Sequence, residues 1–222
     1  MQLHKFIILL GTGVILITFF IALIFKKKQH ADFAKYIFSF VVLGLLISIN
    51  TIIYYHFHIT SLYTLRFIQF LLISIQTLCV GMFFLTILAN KPFQKKIRSL
   101  VIFFLFLQAI MFVLGVLNYL DFTSVYIAIS LISFIFSMIY FKDLLNSIPS
   151  VSLSHNPPFW IVVGFFLHSC ISFPIYSLHR FIPFQTQRDL RFAVFSLSNI
   201  SLIILYVFII KSYLCFKHQP NL

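Results

Sequence analysis

Apolar stretches of roughly 20 residues alternate along the whole chain with short segments that hold charges, prolines or polar clusters. A helix needs about 20 apolar residues to cross the hydrocarbon core of a bilayer, and in lipid it satisfies its backbone groups internally. The predicted spans are 6–25, 36–55, 67–89, 100–120, 122–141, 159–178 and 192–210. The pattern therefore predicts an all-α, polytopic membrane protein: one domain over 1–222, with seven transmembrane helices and no soluble domain.

The composition supports this prediction and changes how the charge is interpreted. Hydrophobic residues make up 61% of the chain and charged residues 9%, a balance that excludes a water-soluble globular fold. The net charge of +12 would indicate nucleic acid in a soluble protein. Here the basic residues lie mostly in the connectors, where they face anionic headgroups. The expected partner is thus the lipid bilayer, and no nucleic acid.

The distribution of basic residues predicts the orientation. The cluster Lys26, Lys27 and Lys28 follows the first apolar stretch instead of preceding it, which indicates a retained helix with its N-terminus outside. Eleven basic residues then face the cytoplasm, against five outside, namely Lys5, Arg66, Arg180, Arg188 and Arg191. This bias predicts a multi-pass protein of the plasma (inner) membrane with a cytoplasmic C-terminus.

Polar side chains inside the predicted spans gather toward the outer half of the membrane. Spacings of three and four residues place several of them on common helix faces, including Ser130 with Ser133 and His168 with Ser172. One interpretation is ordinary hydrogen bonding between helices, at about 1 kcal/mol each. Such packing gives no reason for an uneven distribution in depth, so the second interpretation is a ligand pocket open to the exterior. The predicted ligand-binding residues are Asn50, Arg66, Gln69, Gln76, Asn118, His168, Ser172, Ser196 and Asn199.

Arg66 suggests the chemistry of that ligand. It has no acidic partner nearby in sequence, which favours a small polar or anionic ligand, or a lipid. The alternative is that its long side chain reaches the headgroups and binds lipid phosphate.

Motifs for catalysis and cofactors are absent from the sequence. There is no HExxH, no GxSxG and no paired aspartate, so we expect no catalytic residue, no enzymatic activity and no cofactor. His56, His58 and His179 share the outer side and form a weak candidate metal site. Since no carboxylate or thiol joins them at motif spacing, ordinary loop histidines are favoured and no metal is predicted.

The last third of the chain resembles a known group of proteins. The segment Asn156-Pro157-Pro158-Phe159-Trp160, followed by Asn199 and Tyr206, resembles small, uncharacterised bacterial seven-helix integral membrane proteins and the membrane region of sensor histidine kinases. The resemblance implies a sensing or signalling role and a cytoplasmic signalling protein or histidine kinase as partner. The sequence holds neither a histidine-phosphorylation helix nor an ATP-binding part, so no catalytic residue is implied.

Together these observations favour a membrane protein of receptor or sensor type. It would bind its ligand or lipid in the outer half and signal through a cytoplasmic partner. The alternative is a small solute transporter or a non-catalytic subunit of a membrane complex. The oligomeric state is left open by the sequence.

Overall fold

The computed structural model describes residues 2–26, 32–57, 62–88, 90–117, 124–146, 153–179 and 188–215. Within these ranges the chain forms seven α-helices and a short 3-10 helix at Leu153–His155, with no strand. The α-helices are α1 (Gln2–Lys26), α2 (Asp32–Phe57), α3 (Leu62–Ile87), α4 (Lys91–Val116), α5 (Ser124–Asn146), α6 (Pro157–His179) and α7 (Arg188–Cys215).

Each helix extends beyond its predicted apolar run at one end or both. The largest difference between a predicted span and its helix is in the fourth, where the predicted span starts at residue 100 and the helix begins at Lys91. Pro92 lies in its first turn, where a missing N–H costs nothing, and Nε2 of Gln94 donates to the carbonyl of Leu88 at 2.8 Å. The helix can therefore include polar residues that lie outside the hydrocarbon. The predicted ends at 118–120 and 122–123 fall outside the described residues.

Six of the helices, α2 to α7, are long and apolar enough to cross a membrane. Large apolar side chains cover the outside of the bundle, for example Ile24 (70% exposed), Ile102 (65%) and Phe106 (66%). Such a surface is stable in contact with acyl chains and not with water. The chain is therefore a helical multi-pass membrane protein in a lipid bilayer.

Helices that follow one another run antiparallel. Along α6 and α7, Tyr176 contacts Ser198 and Trp160 contacts Phe208, so the contacts move backward on one helix as they move forward on the other. Each helix packs on the next, α1 also packs on α7, and α3 also packs on α5. The result is a closed ring of helices. We call the end where α1, α3, α5 and α7 begin the N-terminal end of the bundle, and the opposite end the C-terminal end.

Phenylalanine rings fill the half of the bundle toward the C-terminal end. Five buried rings from α2, α3, α5 and α6 pack edge to face, with centroids 5.1 Å apart for the closest pair. We call this group the aromatic floor: Phe40, Phe83, Phe84, Phe136 and Phe165. These rings join four helices and need no polar partner.

Polar side chains link particular helix pairs. Gln108 of α4 is fully buried, and its Nε2 donates to Oγ1 of Thr77 on α3 at 2.9 Å. The Thr77 hydroxyl also donates to the carbonyl of Ile73 within its own helix, at 3.0 Å. Since no water competes for these groups in lipid, the pair holds α3 against α4. This is interhelical packing and not a binding site.

Gly164 permits the closest approach of α6 to α7. A Cβ at this position would lie 2.9 Å from Cβ of Phe208 and 3.3 Å from the backbone oxygen of Leu205. Because one of these atoms is backbone, Gly164→Ala must separate the two helices. We expect a loss of about 1–3 kcal/mol in the free energy of unfolding, measured by denaturant titration in detergent micelles.

Gly13→Ala is the matched control for this substitution. A Cβ at Gly13 meets nothing within 4 Å. Gly13→Ala therefore raises the free energy of unfolding only through the higher helix propensity of alanine, by up to about 1 kcal/mol. Equal stability of the two variants would contradict the close packing of α6 on α7.

Candidate ligand cavity

A cavity of about 120 Å³ lies inside the ring of helices. It is bounded by side chains of α1, α2, α3, α5, α6 and α7. Its polar wall consists of Ser48, Gln76, Ser130, Ser133, His168, Tyr176, Ser198, Asn199 and Tyr206. Its apolar wall consists of Ile15, Phe40, Ile47, Ile73, Ile129, Phe165, Leu202 and Leu205, with Gly44 and the ring of Tyr126 completing the lining.

The cavity occupies the middle of the bundle and extends toward its N-terminal end. Phe40 and Phe165 belong to the aromatic floor and line the cavity from below. Near the other end Tyr126 of α5 stacks on Tyr176 of α6, with centroids 5.4 Å apart. The cavity thus combines polar walls with a bottom made of aromatic rings.

The described lining is electrically neutral apart from the titratable imidazole of His168. It contains no aspartate, glutamate, lysine or arginine. A charged guest would lose its hydration without gaining a counter-ion, at a cost of several kcal/mol. The cavity therefore favours neutral groups that form hydrogen bonds.

His168 is held by two serines: Ser172, one turn further along α6, and Ser201 on α7. Nδ1 of His168 lies 2.9 Å from Oγ of Ser201 and 3.2 Å from Oγ of Ser172, and the two serine oxygens are 3.0 Å apart. Both serines are fully buried, whereas the imidazole lines the cavity. We call these three residues the histidine triangle. It joins α6 to α7 at the level of the cavity.

The proton positions in the histidine triangle follow from the hydroxyl of Ser201. That hydroxyl donates to the carbonyl of Ser198 at 2.7 Å, so its oxygen can only accept from the other two members. Nδ1 of His168 must then hold the ring proton and donate it to Ser201.

This tautomer also bears on catalysis. A serine activated by a histidine must donate its proton to the imidazole, as in serine hydrolases. Here Ser201 donates to a backbone carbonyl instead. The histidine triangle is thus arranged to hold the ring and not to activate a nucleophile.

Ser130 is a fully buried polar group of the cavity wall whose hydroxyl lacks a partner among the described residues. Its side chain is 2% exposed, and its Oγ has no hydrogen bond among the described residues. Ser133, one turn further along, donates to the carbonyl of Ile129 at 2.8 Å and so satisfies itself locally. An unpaired buried hydroxyl costs about 1–3 kcal/mol, which a guest in the cavity would recover.

Gly44 makes room for the tyrosine that closes one side of the cavity. A Cβ on Gly44 would overlap the hydroxyl oxygen of Tyr206. The Tyr206 side chain is 1% exposed and packs on Phe40. Any side chain larger than glycine at position 44 would push the Tyr206 ring, and part of that wall, out of place.

The structure brings three of the predicted ligand-binding residues together at the cavity: Gln76, His168 and Asn199. Ser172 lies behind His168 within the histidine triangle. Nε2 of Gln76 makes only a long hydrogen bond, 3.4 Å to the carbonyl of Phe40. Its amide therefore keeps bonding capacity for a guest.

The other predicted residues lie elsewhere. Nε2 of Gln69 donates to Oγ1 of Thr51 at 3.1 Å, which links α3 to α2 above the cavity. Ser196 is buried in α7 and Asn50 lies in α2, its Nδ2 buried without a hydrogen bond among the described residues. These two side chains and the partly exposed Arg66 are not part of the lining. Asn118 lies outside the described residues.

Several lining residues were missed at the level of sequence, above all Ser48, Tyr126, Tyr176 and Ser198. Helical spacing contained part of the signal, because Ser198, Leu202 and Leu205 recur on one face of α7. The tyrosines gave no signal of their own, since tyrosine near a helix end is typical of the membrane interface.

The predicted histidine cluster at the N-terminal end is not tested by the structure. His58 lies outside the described residues, and the side chains of His56 and His179 are not described. Among the residues that are described, no three of the metal-binding types come together.

Comparison with known proteins gave no match to a family model, a curated protein or a solved structure.

The assigned tautomer is testable by nitrogen NMR of the chain labelled at histidine. We expect His168 to show a protonated Nδ1 and an unprotonated Nε2. Ser201→Ala removes the acceptor of the Nδ1 proton and is expected to shift the His168 signals. Ser169→Ala is the control, since that buried serine makes no hydrogen bond among the described residues. An Nε2-protonated ring in the unsubstituted protein would contradict the arrangement.

Proposed function

We propose that this chain is a seven-helix membrane protein of receptor or sensor type. A small ligand binds in the cavity from the outside, and a cytoplasmic signalling protein, such as a histidine kinase, receives the signal at the C-terminal end. The membrane is the plasma (inner) membrane, with the N-terminus outside and the C-terminus in the cytoplasm.

The charge distribution supports this orientation. Exposed basic side chains of α2, α4, α5 and α7 lie at the C-terminal end of the bundle: Lys35, Lys91, Lys95, Lys96, Arg98, Lys142 and Lys211. Arg66 is the described basic side chain at the N-terminal end. Basic residues accumulate on the cytoplasmic side of membrane proteins.

The packing of α1 supports seven spans over six. Its apolar part, Leu9–Phe25, is continuous, and α1 packs on both α2 and α7. Phe6, Ile17 and Ile24 are more than half exposed on its outer face. A helix that closes the ring between two spans and presents apolar side chains outward fits beside them in the bilayer.

The observation that carries the signalling proposal is the course of α7. Near its middle, Ser198, Asn199, Leu202, Leu205 and Tyr206 line the cavity. Beyond them the same helix reaches the C-terminal end of the bundle. A ligand that moves these side chains acts directly on the helix that ends at the cytoplasmic surface.

The C-terminal end of α7 is held by one tryptophan. Nζ of Lys211 lies 3.6 Å from the centroid of the Trp160 ring, which stacks on Phe208 with centroids 5.8 Å apart. Nε1 of Trp160 donates to the carbonyl of Ser154 at 2.9 Å, and so ties the 3-10 helix to α6 and α7. The aromatic contacts join α7 to α6 at that surface, so a shift of α7 changes the surface that a partner would meet.

The aromatic floor favours a sensor over a transporter. Phe40 and Phe165 close the cavity below, and Phe83, Phe84 and Phe136 pack behind them. A solute would have to displace buried rings to pass. A ligand that signals needs no such path.

Tags at the two ends of the chain test the topology. We expect an epitope at the N-terminus to be reachable in intact cells, and one at the C-terminus only after permeabilisation. Single cysteines at Thr64→Cys in α3 and Lys95→Cys in α4, in a background with the native cysteines replaced by alanine, mark the N-terminal and C-terminal ends of the bundle as the internal control. Both tags on one side would mean an even number of spans and would contradict the crossing of α1.

Coupling through α7 is testable without a ligand. Gly44→Ala displaces Tyr206 and is expected to act as a guest in the cavity would. Spin labels at the exposed positions Leu145 of α5 and Leu214 of α7 report the distance at the C-terminal end. We expect the distance distribution to shift in Gly44→Ala and to stay unchanged in Gly13→Ala. Identical distributions in both variants would contradict a signalling role of α7.

A further inference from the structure

We infer that the guest of the cavity is a small, uncharged molecule with an apolar body and one hydroxyl group. This inference rests on the proposed function and narrows its ligand. The hydroxyl gives Ser130 a hydrogen-bond partner, while the body fills the apolar wall. Three properties of the cavity lead to this class.

The first property is size. The cavity measures about 120 Å³. An apolar protein cavity of about 150 Å³ holds benzene, so the guest is limited to roughly the size of one six-membered ring. The same space would hold about four water molecules, which is the competing occupancy.

The second property is the absence of fixed charge. Arg66 was the residue that favoured an anionic ligand, and it does not line the cavity. His168 is the titratable group of the described lining, and no carboxylate lies beside it there to stabilise a charged imidazole. A carboxylate or an ammonium group would therefore enter without a counter-ion.

The third property is the unpaired hydroxyl of Ser130, which lines the cavity without a hydrogen bond among the described residues. Its Oγ can donate or accept. The stacked pairs Tyr126–Tyr176 and Phe134–Phe166 place residue 133 of α5 opposite His168, so Ser130 lies about one turn nearer the N-terminal end of the bundle. A hydroxyl is a simple neutral group that can pair with Ser130 in either direction.

Fluorine NMR of the full chain in phosphatidylcholine nanodiscs tests the class. The probes are 4-fluorophenol, 4-fluorotoluene and 4-fluorobenzoate, which share a ring and differ in the polar group. Line broadening is compared between the unsubstituted chain and Gly44→Ala, so that partition into lipid cancels. We expect 4-fluorophenol to broaden in the unsubstituted chain alone, 4-fluorotoluene to broaden less, and 4-fluorobenzoate to behave alike in both.

Ser130→Ala tests the hydrogen bond itself. We expect 4-fluorophenol to bind about five- to tenfold more weakly, the effect of one lost hydrogen bond. Ser137→Ala is the matched control, because that serine is buried on the same helix, donates to the carbonyl of Ser133 and does not line the cavity. If Gly44→Ala fails to fold, displacement of 4-fluorophenol by unlabelled phenol on the unsubstituted chain replaces the comparison.

Three results would overturn the inference. Equal binding of 4-fluorotoluene would show that the guest needs no hydroxyl. Tighter binding of 4-fluorobenzoate would show that the cavity prefers an anion. No binding of any probe would show that water alone occupies the cavity. None of these results depends on the topology or on the movement of α7. The epitope and spin-label measurements test the proposed function independently of these binding experiments.

Discussion

The constraint on which this structure depends is the lack of water inside the hydrocarbon. A polar side chain there must find its partner within the protein. Many hydroxyls of the bundle do so locally, as Thr18 and Ser133 do by donating to the carbonyl four residues earlier. Others join two helices, as Gln108 does with Thr77. Where a buried group lacks a partner beside an open volume, as Ser130 does, the constraint marks a place for a guest.

The same constraint divides the interior into two unlike halves. Toward the C-terminal end the helices meet through phenylalanine rings, which need no polar partner and pack densely. Toward the N-terminal end they meet through serines, amides and tyrosines, whose pairing requires specific geometry and leaves space where it is incomplete. A cavity therefore forms above the aromatic floor and not within it. The histidine triangle lies at this boundary and fixes its tautomer through Ser201.

The helix α7 runs through both halves of the interior. Its serines and Asn199 face the cavity, and Lys211 lies over Trp160 at the opposite end. A molecule in the cavity contacts α7, and the same helix forms part of the surface at the C-terminal end. The small size and neutral walls of the cavity limit that occupant in a way that the net charge of the chain does not suggest. Most of the described basic side chains lie at the C-terminal end of the bundle, and none of them lines the cavity.

Hydropathy predicted the number and order of the helices well, since burying a helix in lipid depends on composition more than on detail. It does not give the ends of the helices. The helix that begins at Lys91 continues beyond the apolar run because backbone hydrogen bonding does not stop where the hydrocarbon stops. Of the residues that helical spacing selected for a site, Gln76, His168 and Asn199 line the cavity, whereas the amide of Gln69 donates to Thr51.

The sequence by itself determined that the chain is a bundle of membrane helices, because apolar length and the need for internal hydrogen bonding leave no other fold. It also determined which few side chains are costly in lipid. Only the tertiary structure decided which of those side chains are satisfied and which face an open volume. That outcome depends on which helices meet and at what depth, and spacing along a single helix does not contain this information.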